Sequence, residues 1–121
     1  MPIKKILVVD DSPTERFAMT ELLSSKGYQV VTAENGEEAI SKSKSELPDL
    51  ILMDVVMPGM NGYQATRTIS RDEATRGIPI IMCTSKSLET DKIWGMRQGA
   101  FDYLVKPIDH AELLARISSL G

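Results

Sequence analysis

The run Leu50–Met53 is wholly apolar and stops at the carboxylate of Asp54. Pro48 and Asp49 precede this run, and a segment rich in Pro, Gly and Asn, 58–62, follows it. A short apolar run between such breaks is typical of a strand buried on both faces, which in a small domain indicates a central strand of a parallel sheet. Asp54 then lies at the carboxyl end of that strand. A charge at this position needs a partner, and open α/β sheets bind their ligands at this edge.

Strand and helix patterns alternate along the rest of the chain. Further strands are predicted at 6–9, 28–33, 80–83 and 102–105. Helices are predicted over 62–71 and 89–98, and others begin after the residues Ser12, Asn35 and Asp109. Five strands alternating with five helices predict a parallel sheet with helices on both faces, because each parallel return needs a right-handed crossover.

The first helix has a strong start signal, in which Ser12 precedes Pro13 and Glu15 follows three residues after the serine. This pattern predicts a capping box. The helical spacing predicts a buried face of Ala18, Met19, Leu22 and Leu23. It directs four charged side chains mostly to solvent, namely Glu15, Arg16, Glu21 and Lys26.

Polar residues follow four of the five predicted strands, namely Asp10, Asp11, Asp54, Thr84 and Lys106. Because the carboxyl ends of parallel strands share one edge of the sheet, we expect these side chains to converge although they span most of the sequence. Their convergence is the main functional signal in the chain.

Three carboxylates placed together repel one another and stay ionised only when a cation lies between them. Lys106 supplies a single positive charge. Oxygen ligands without His or Cys suit Mg²⁺ and disfavour zinc. A metal, a carboxylate, a hydroxyl and a lysine together suit phosphoryl transfer, with Asp54 attacking in line while Lys106 and Thr84 contact the phosphoryl oxygens. The residues therefore predict an aspartyl-phosphate site.

Charge and composition exclude several other classes of protein. Lys and Arg number 14 against 17 Asp and Glu, a net charge of −3, which argues against a nucleic-acid surface or a polybasic membrane patch. The sequence contains neither a signal-peptide core nor a stretch of membrane-spanning length, so we expect a cytoplasmic protein. The single cysteine, Cys83, lies in an apolar run and is expected to be a buried, inert thiol. The length of 121 residues predicts one domain, 1–121, without an output domain.

Four segments carry a resemblance to a known family: 8–12 (VVDDS), Asp54 with 57–62 (MPGMNG), Thr84, and 103–107 (YLVKP). They resemble the CheY-like receiver domain of two-component response regulators, and the likeness covers essentially the whole chain. It implies an α/β, flavodoxin-like (βα)5 three-layer sandwich whose parallel sheet has the strand order 2-1-3-4-5.

The resemblance also implies roles for the acidic residues. Asp54 would be both the phosphoacceptor and a metal-binding residue, and Asp11 a direct Mg²⁺ ligand. Asp10 would bind the metal through water, and Val56 would contribute its backbone carbonyl. Mn²⁺ is expected to substitute for Mg²⁺.

The other matching residues would bind the phosphoryl group and transmit its presence. Thr84 and Tyr103 are similar to the family's switch pair, and Lys106 to its phosphate-binding lysine, joined by a cis peptide bond to Pro107. Ser85 departs from the pattern because the family usually has alanine or glycine there, and a serine either crowds the phosphoryl group or adds a hydrogen bond.

Segments 11–15, 56–67 and 89–99 more narrowly resemble the single-domain regulators of twitching motility by type IV pili, the PilH type. The implied function is that of a stand-alone regulator and not of an enzyme. Such a regulator catalyses only its own phosphorylation and dephosphorylation. A histidine kinase or its phosphotransfer domain would supply the phosphoryl group. A downstream protein would bind the surface of the fourth helix, fifth strand and fifth helix, with Trp94 as a candidate anchor. We expect a monomer that binds neither nucleic acid nor membrane.

Three alternatives stay open. A small phosphatase of the haloacid dehalogenase type also uses an aspartyl nucleophile. It requires Asp-x-Asp after the first strand, and here Ser12 occupies the position of the second aspartate. An FMN-binding flavodoxin-like carrier needs a phosphate cradle after the first strand and more aromatic residues than this chain has. A receiver acting only as a scaffold or phosphate sink is the third alternative.

Overall fold

Strands and helices alternate throughout the residues that the computed structural model describes, 2–121. The strands are β1 Lys5–Val9, β2 Gln29–Ala33, β3 Leu50–Met53, β4 Ile80–Thr84 and β5 Asp102–Val105. The helices are α1 Pro13–Ser25, α2 Gly36–Glu46, α3 Gly62–Arg71, α4 Glu89–Gln98 and α5 His110–Leu120. The predicted strand ends differ from these by one residue at β1, β2 and β4.

All four strand pairs are parallel, and the sheet has the order β2-β1-β3-β4-β5. The predicted flavodoxin-like fold and strand order are therefore confirmed. Alternate residues of β1 supply the two faces: Ile6 and Val8 pack in one core with Leu23 of α1 and Leu113 of α5. The opposite core holds Leu7, Val9, Ala39, Ala65 and Ile69, the last three from α2 and α3. This division produces the three layers.

The first turn of α1 differs from the expected capping box. Ser12 Oγ accepts a hydrogen bond from the Glu15 backbone N–H at 3.3 Å, as an N-cap should. The reciprocal half is absent among the described residues, because the Ser12 N–H donates to Asp10 Oδ1 at 2.9 Å and the Glu15 carboxylate contacts Lys106 instead. A complete capping box occurs at α3, between Asn61 and Gln64.

The buried face of α1 is also narrower than its apolar spacing predicts. Leu23 is fully buried and Met19 is partly buried, but Ala18 is exposed. The reason is that the first half of α1 lies over the polar edge of the sheet, where a cavity of about 250 Å³ separates Ala18 from the loop after β5. Arg16, expected in solvent, is instead partly buried and donates to the Asp10 carbonyl at 2.7 Å.

Among residues 2–121, none of the helices combines the length and the apolarity that a membrane span requires.

Candidate functional site

Three carboxylates meet at the carboxyl edge of the central strands. Each of Asp10, Asp11 and Asp54 offers an oxygen that lies within 4.8 Å of the others. The pairing of β1 with β3 produces this proximity, since the Asp54 N–H donates to the Val9 carbonyl at 3.0 Å. Asp10 and Asp54 are buried, whereas Asp11 is exposed.

This cluster is electrostatically costly without a cation. Burial raises the pKa of Asp54 to about 6; the charge of Lys106 opposes the rise, while Asp10 and Asp11 add to it. Oxygen donors alone, with one carboxylate open to solvent, fit Mg²⁺, which keeps several of its waters. The donor set therefore suits Mg²⁺, with Asp10, Asp11 and Asp54 as the side chains that would hold it.

Lys106 follows β5 and reaches the cluster from the other side. Its Nζ lies 3.0 Å from Asp10 Oδ2, 3.0 Å from Glu15 Oε1 and 3.8 Å from Asp54 Oδ1. Burial by itself would lower the pKa of Lys106. The contacts with Glu15 and Asp10 and the charge of Asp54 outweigh this effect, so the pKa lies above its ordinary value. The peptide bond to Pro107 is cis. Sequence reasoning missed Glu15, whose placement in the first turn after Asp10 and Asp11 was the available signal.

Thr84 is the last residue of β4, and its side chain is fully buried. Its Oγ1 accepts a hydrogen bond from the Lys86 N–H at 3.3 Å, and its carbonyl accepts one from the Lys106 N–H at 2.8 Å. Thr84 thus links the loop after β4 to the end of β5.

Two further residues near the site, Ser85 and Val56, are exposed, and the exposed fraction of Val56 is 54%.

Tyr103 points inward beneath the loop between β4 and α4. The residue is 9% exposed, and its hydroxyl donates to the Lys86 carbonyl at 2.8 Å. Burial raises its pKa, and Tyr63 adds to this shift. The Tyr63 hydroxyl donates to the Asp91 carbonyl at 3.2 Å, so one phenol holds the loop before α4 and the other holds the first turn of the helix. The role of Tyr63 was not expected from the sequence.

Gly62 closes the loop that follows Asp54. Its N–H donates to the Val55 carbonyl at 2.9 Å. A Cβ at this position would lie 2.1 Å from the Asp54 carbonyl oxygen and 2.8 Å from the Val55 Cα, so only glycine permits this approach. The sequence places Gly62 at a helix start but carries no sign of this contact.

The remaining candidates lie outside the cluster. Trp94 is 48% exposed on α4, close in sequence to two other exposed apolar residues, Ile93 and Met96. Cys83 is buried as expected, and burial raises its pKa to about 12, so its thiol stays protonated at neutral pH.

Comparisons with known proteins agree with this geometry. The family model of the response regulator receiver domain matches residues 6–118. Protein PilH of Pseudomonas aeruginosa is 52% identical over 116 residues, which are 96% of each chain. Response regulator PleD of Caulobacter vibrioides is 41% identical over 116 residues and is longer, so that the match covers 96% of this chain and 26% of that protein.

Two solved structures show the same architecture. Chemotaxis protein CheY4 of Vibrio cholerae is 33% identical with a TM-score of 0.91, and the match covers 98% of this chain and 99% of that one. The receiver domain of sensor histidine kinase PA1611 from Pseudomonas aeruginosa is 35% identical with a TM-score of 0.89, over 97% and 96% of the two chains, and has a magnesium ion coordinated in its active-site cleft. The chain belongs to the response regulator receiver domain family.

Proposed function

We propose that this receiver accepts a phosphoryl group on Asp54 and acts as a stand-alone switch, with residues 1–121 forming one receiver domain. The observation that carries the proposal is the convergence of three carboxylates with Lys106 at one edge of the sheet. The phosphatase alternative is weaker, because Ser12, where a haloacid dehalogenase needs its second aspartate, is the N-cap of α1.

In the proposed reaction, an Asp54 oxygen attacks the phosphorus of a phosphohistidine. The new O–P bond forms as the N–P bond breaks, and the imidazole leaves as its neutral form after taking a proton from solvent. The residues that would hold Mg²⁺, or Mn²⁺ in its place, are Asp11 and Asp54, the Val56 carbonyl and, through water, Asp10. The bound ion would supply positive charge for the phosphoryl oxygens. Lys106 binds a phosphoryl oxygen.

The switch would begin at Thr84, whose hydroxyl now accepts from the Lys86 N–H. A phosphoryl oxygen on Asp54 would draw this hydroxyl away and reshape the loop after β4. Tyr103 donates to the carbonyl of Lys86 in the same loop, so it would sense the change. The affected surface is α4, β5 and α5.

The partners we propose are a histidine kinase or its phosphotransfer domain as donor, and a downstream protein that binds the surface of α4, β5 and α5. The identity with PilH supports a role in twitching motility. We propose a cytoplasmic monomer that binds neither nucleic acid nor membrane, with Trp94 contributing to the partner surface.

Acetyl phosphate with Mg²⁺ provides a direct test of the function. We expect intact-mass spectrometry to show one added phosphoryl group on the wild type, because Asp54 is the nucleophile and the donor needs no partner protein. The adduct should be absent from Asp54→Ala and should not form in EDTA. Asp49→Ala is the matched control, since Asp49 lies at the opposite end of β3, and this variant should still be phosphorylated. An adduct that persists in Asp54→Ala would contradict the assignment.

Val56 is expected to prolong the phosphorylated state. It lies two residues after Asp54 and is exposed, but its apolar side chain cannot orient an attacking water. We predict that Val56→Asn loses the phosphoryl group several-fold faster. This is less than the roughly 10²- to 10⁴-fold that general acid–base catalysis contributes, because an amide orients the water but does not take its proton. The measurement is the decay of the adduct after acetyl phosphate is removed. An unchanged lifetime would show that position 56 does not control hydrolysis.

A further inference from the structure

The Glu15 carboxylate occupies one side of Lys106. Its Oε1 lies 3.0 Å from Lys106 Nζ, the same distance as Asp10 Oδ2 and shorter than the 3.8 Å to Asp54 Oδ1. An ammonium group has three hydrogen-bond donors. One of them is donated to Asp10 Oδ2, and Glu15 forms an ion pair with the ammonium at the same distance. The proposed phosphoacceptor has the most distant contact of the three.

Local structure explains why Glu15 is available for this contact. The N–H of Ser12, the usual partner of a glutamate at this helical position, already donates to Asp10 Oδ1 at 2.9 Å. The Glu15 backbone is held by the Ser12 hydroxyl, while its side chain is 50% exposed and free to turn toward Lys106.

The contact also adds negative charge to an acidic site. Asp10, Asp11 and Asp54 lie within 4.8 Å of one another, and Glu15 brings a fourth carboxylate to the lysine beside them. Phosphodonors and phosphoryl analogues are anions, and they approach the same lysine.

We propose that Glu15 is a positioning residue that holds Lys106 beside Asp10 and away from Asp54, and thereby restrains phosphoryl uptake. This inference rests on the proposed function of Asp54. A phosphoryl group entering the site must compete with Glu15 for the ammonium, so removing the charge of Glu15 releases Lys106 toward the phosphoacceptor.

Glu15→Gln tests the inference with two probes, acetyl phosphate and beryllium fluoride, each with Mg²⁺ and the full chain. We expect the half-saturating acetyl phosphate concentration and the dissociation constant of beryllium fluoride to fall on the order of fivefold at low ionic strength, the scale of one charge a few ångströms from an anion in a hydrated site. The gain should shrink in high salt, because screening weakens exposed charges. The maximal phosphorylation rate should change less than the half-saturating concentration.

Two variants separate positioning from general effects. Glu21→Gln is the matched control, since Glu21 is exposed on the same helix and forms no salt bridge among residues 2–121; it should behave as wild type. In a Lys106→Ala background, Glu15→Gln should gain clearly less than in wild type, because no lysine remains to be released. Beryllium fluoride binding in that background is measured directly, so low turnover does not obscure the result.

The outcomes are distinct. Wild-type affinity, or weaker binding, in Glu15→Gln overturns the inference while leaving phosphorylation of Asp54 intact. An equal gain with and without Lys106 also overturns it, since simple charge repulsion then suffices. Failure of wild type to form an Asp54 adduct removes the proposed function, and the inference falls with it.

Discussion

Gly62→Ala should cost the protein at least about 3 kcal/mol of its free energy of unfolding, at or above the upper end of the usual cost of overpacking. The added Cβ would lie 2.1 Å from the Asp54 carbonyl oxygen and 2.8 Å from the Val55 Cα. Both neighbours are backbone atoms of the segment that joins β3 to the following loop. No rotamer change can relieve the clash, so the loop must move away from Asp54.

Urea unfolding followed by circular dichroism measures this loss. Gly77→Ala is the matched control, because nothing lies within 4 Å of a Cβ built there and the residue is exposed. It should be nearly neutral or gain a few tenths of a kcal/mol, since alanine restricts the unfolded chain. If Gly62→Ala and Gly77→Ala have similar unfolding midpoints, the close approach to Asp54 does not exist in solution.

Asp54→Asn should stabilise the protein in buffer free of divalent cations. Burial, with repulsion from Asp10 and Asp11, raises the pKa of Asp54 from 3.8 to about 6 despite the opposing charge of Lys106. The folded state therefore holds the proton more tightly than the unfolded state. The free energy of unfolding therefore falls by about 3 kcal/mol, for a shift of this size, as pH rises from about 4 to about 6. It stays at that lower value at higher pH. Asparagine removes this penalty.

We expect the two proteins to be nearly equal in stability at pH 4 and to differ by about 2–3 kcal/mol at pH 8, with the variant the more stable. Urea unfolding at a series of pH values measures the difference. Asp49→Asn provides a control of opposite sign, because hydrogen bonds from the Lys5 and Lys4 backbone N–H groups lower the pKa of Asp49, so its ionised form stabilises the fold. Mg²⁺ should narrow the gap at pH 8, since it favours the ionised Asp54. Parallel pH profiles of wild type and Asp54→Asn would contradict the raised pKa.

Expectations based on the type and order of residues agreed closely with the fold. The apolar runs at β1, β3 and β4 fix buried strands, and their alternation with capped helices leaves a parallel sheet as the simple solution. The strand order required the family resemblance, because alternation alone does not decide which strands are neighbours. The convergence of the three carboxylates did not require the resemblance, because parallel strands direct their carboxyl ends to one edge of the sheet. The residues concerned are Asp10, Asp11 and Asp54.

Side-chain partners were predicted less well. The sequence around Ser12 predicts a capping box, but Asp10 takes the serine N–H and Glu15 turns to Lys106. A local motif cannot account for this exchange, because Lys106 lies at the far end of the chain and reaches Glu15 only in the folded sheet. Ala18 likewise fits the apolar spacing of a buried face and yet is exposed beside the cavity at the sheet edge.

Hydrophobic periodicity and capping are local properties, so the order of residues was enough to predict which elements form and which polar residues end them. The atoms that the charged groups contact became known from the folded structure. It placed Lys106 closer to Asp10 and Glu15 than to Asp54, brought Gly62 against the Asp54 carbonyl, and set Tyr63 beside Tyr103 under α4. Apart from the approach of Gly62 to Asp54, these contacts join residues far apart in the chain. All of them depend on strand register and helix packing at a scale of about 1 Å, finer than any sequence pattern specifies.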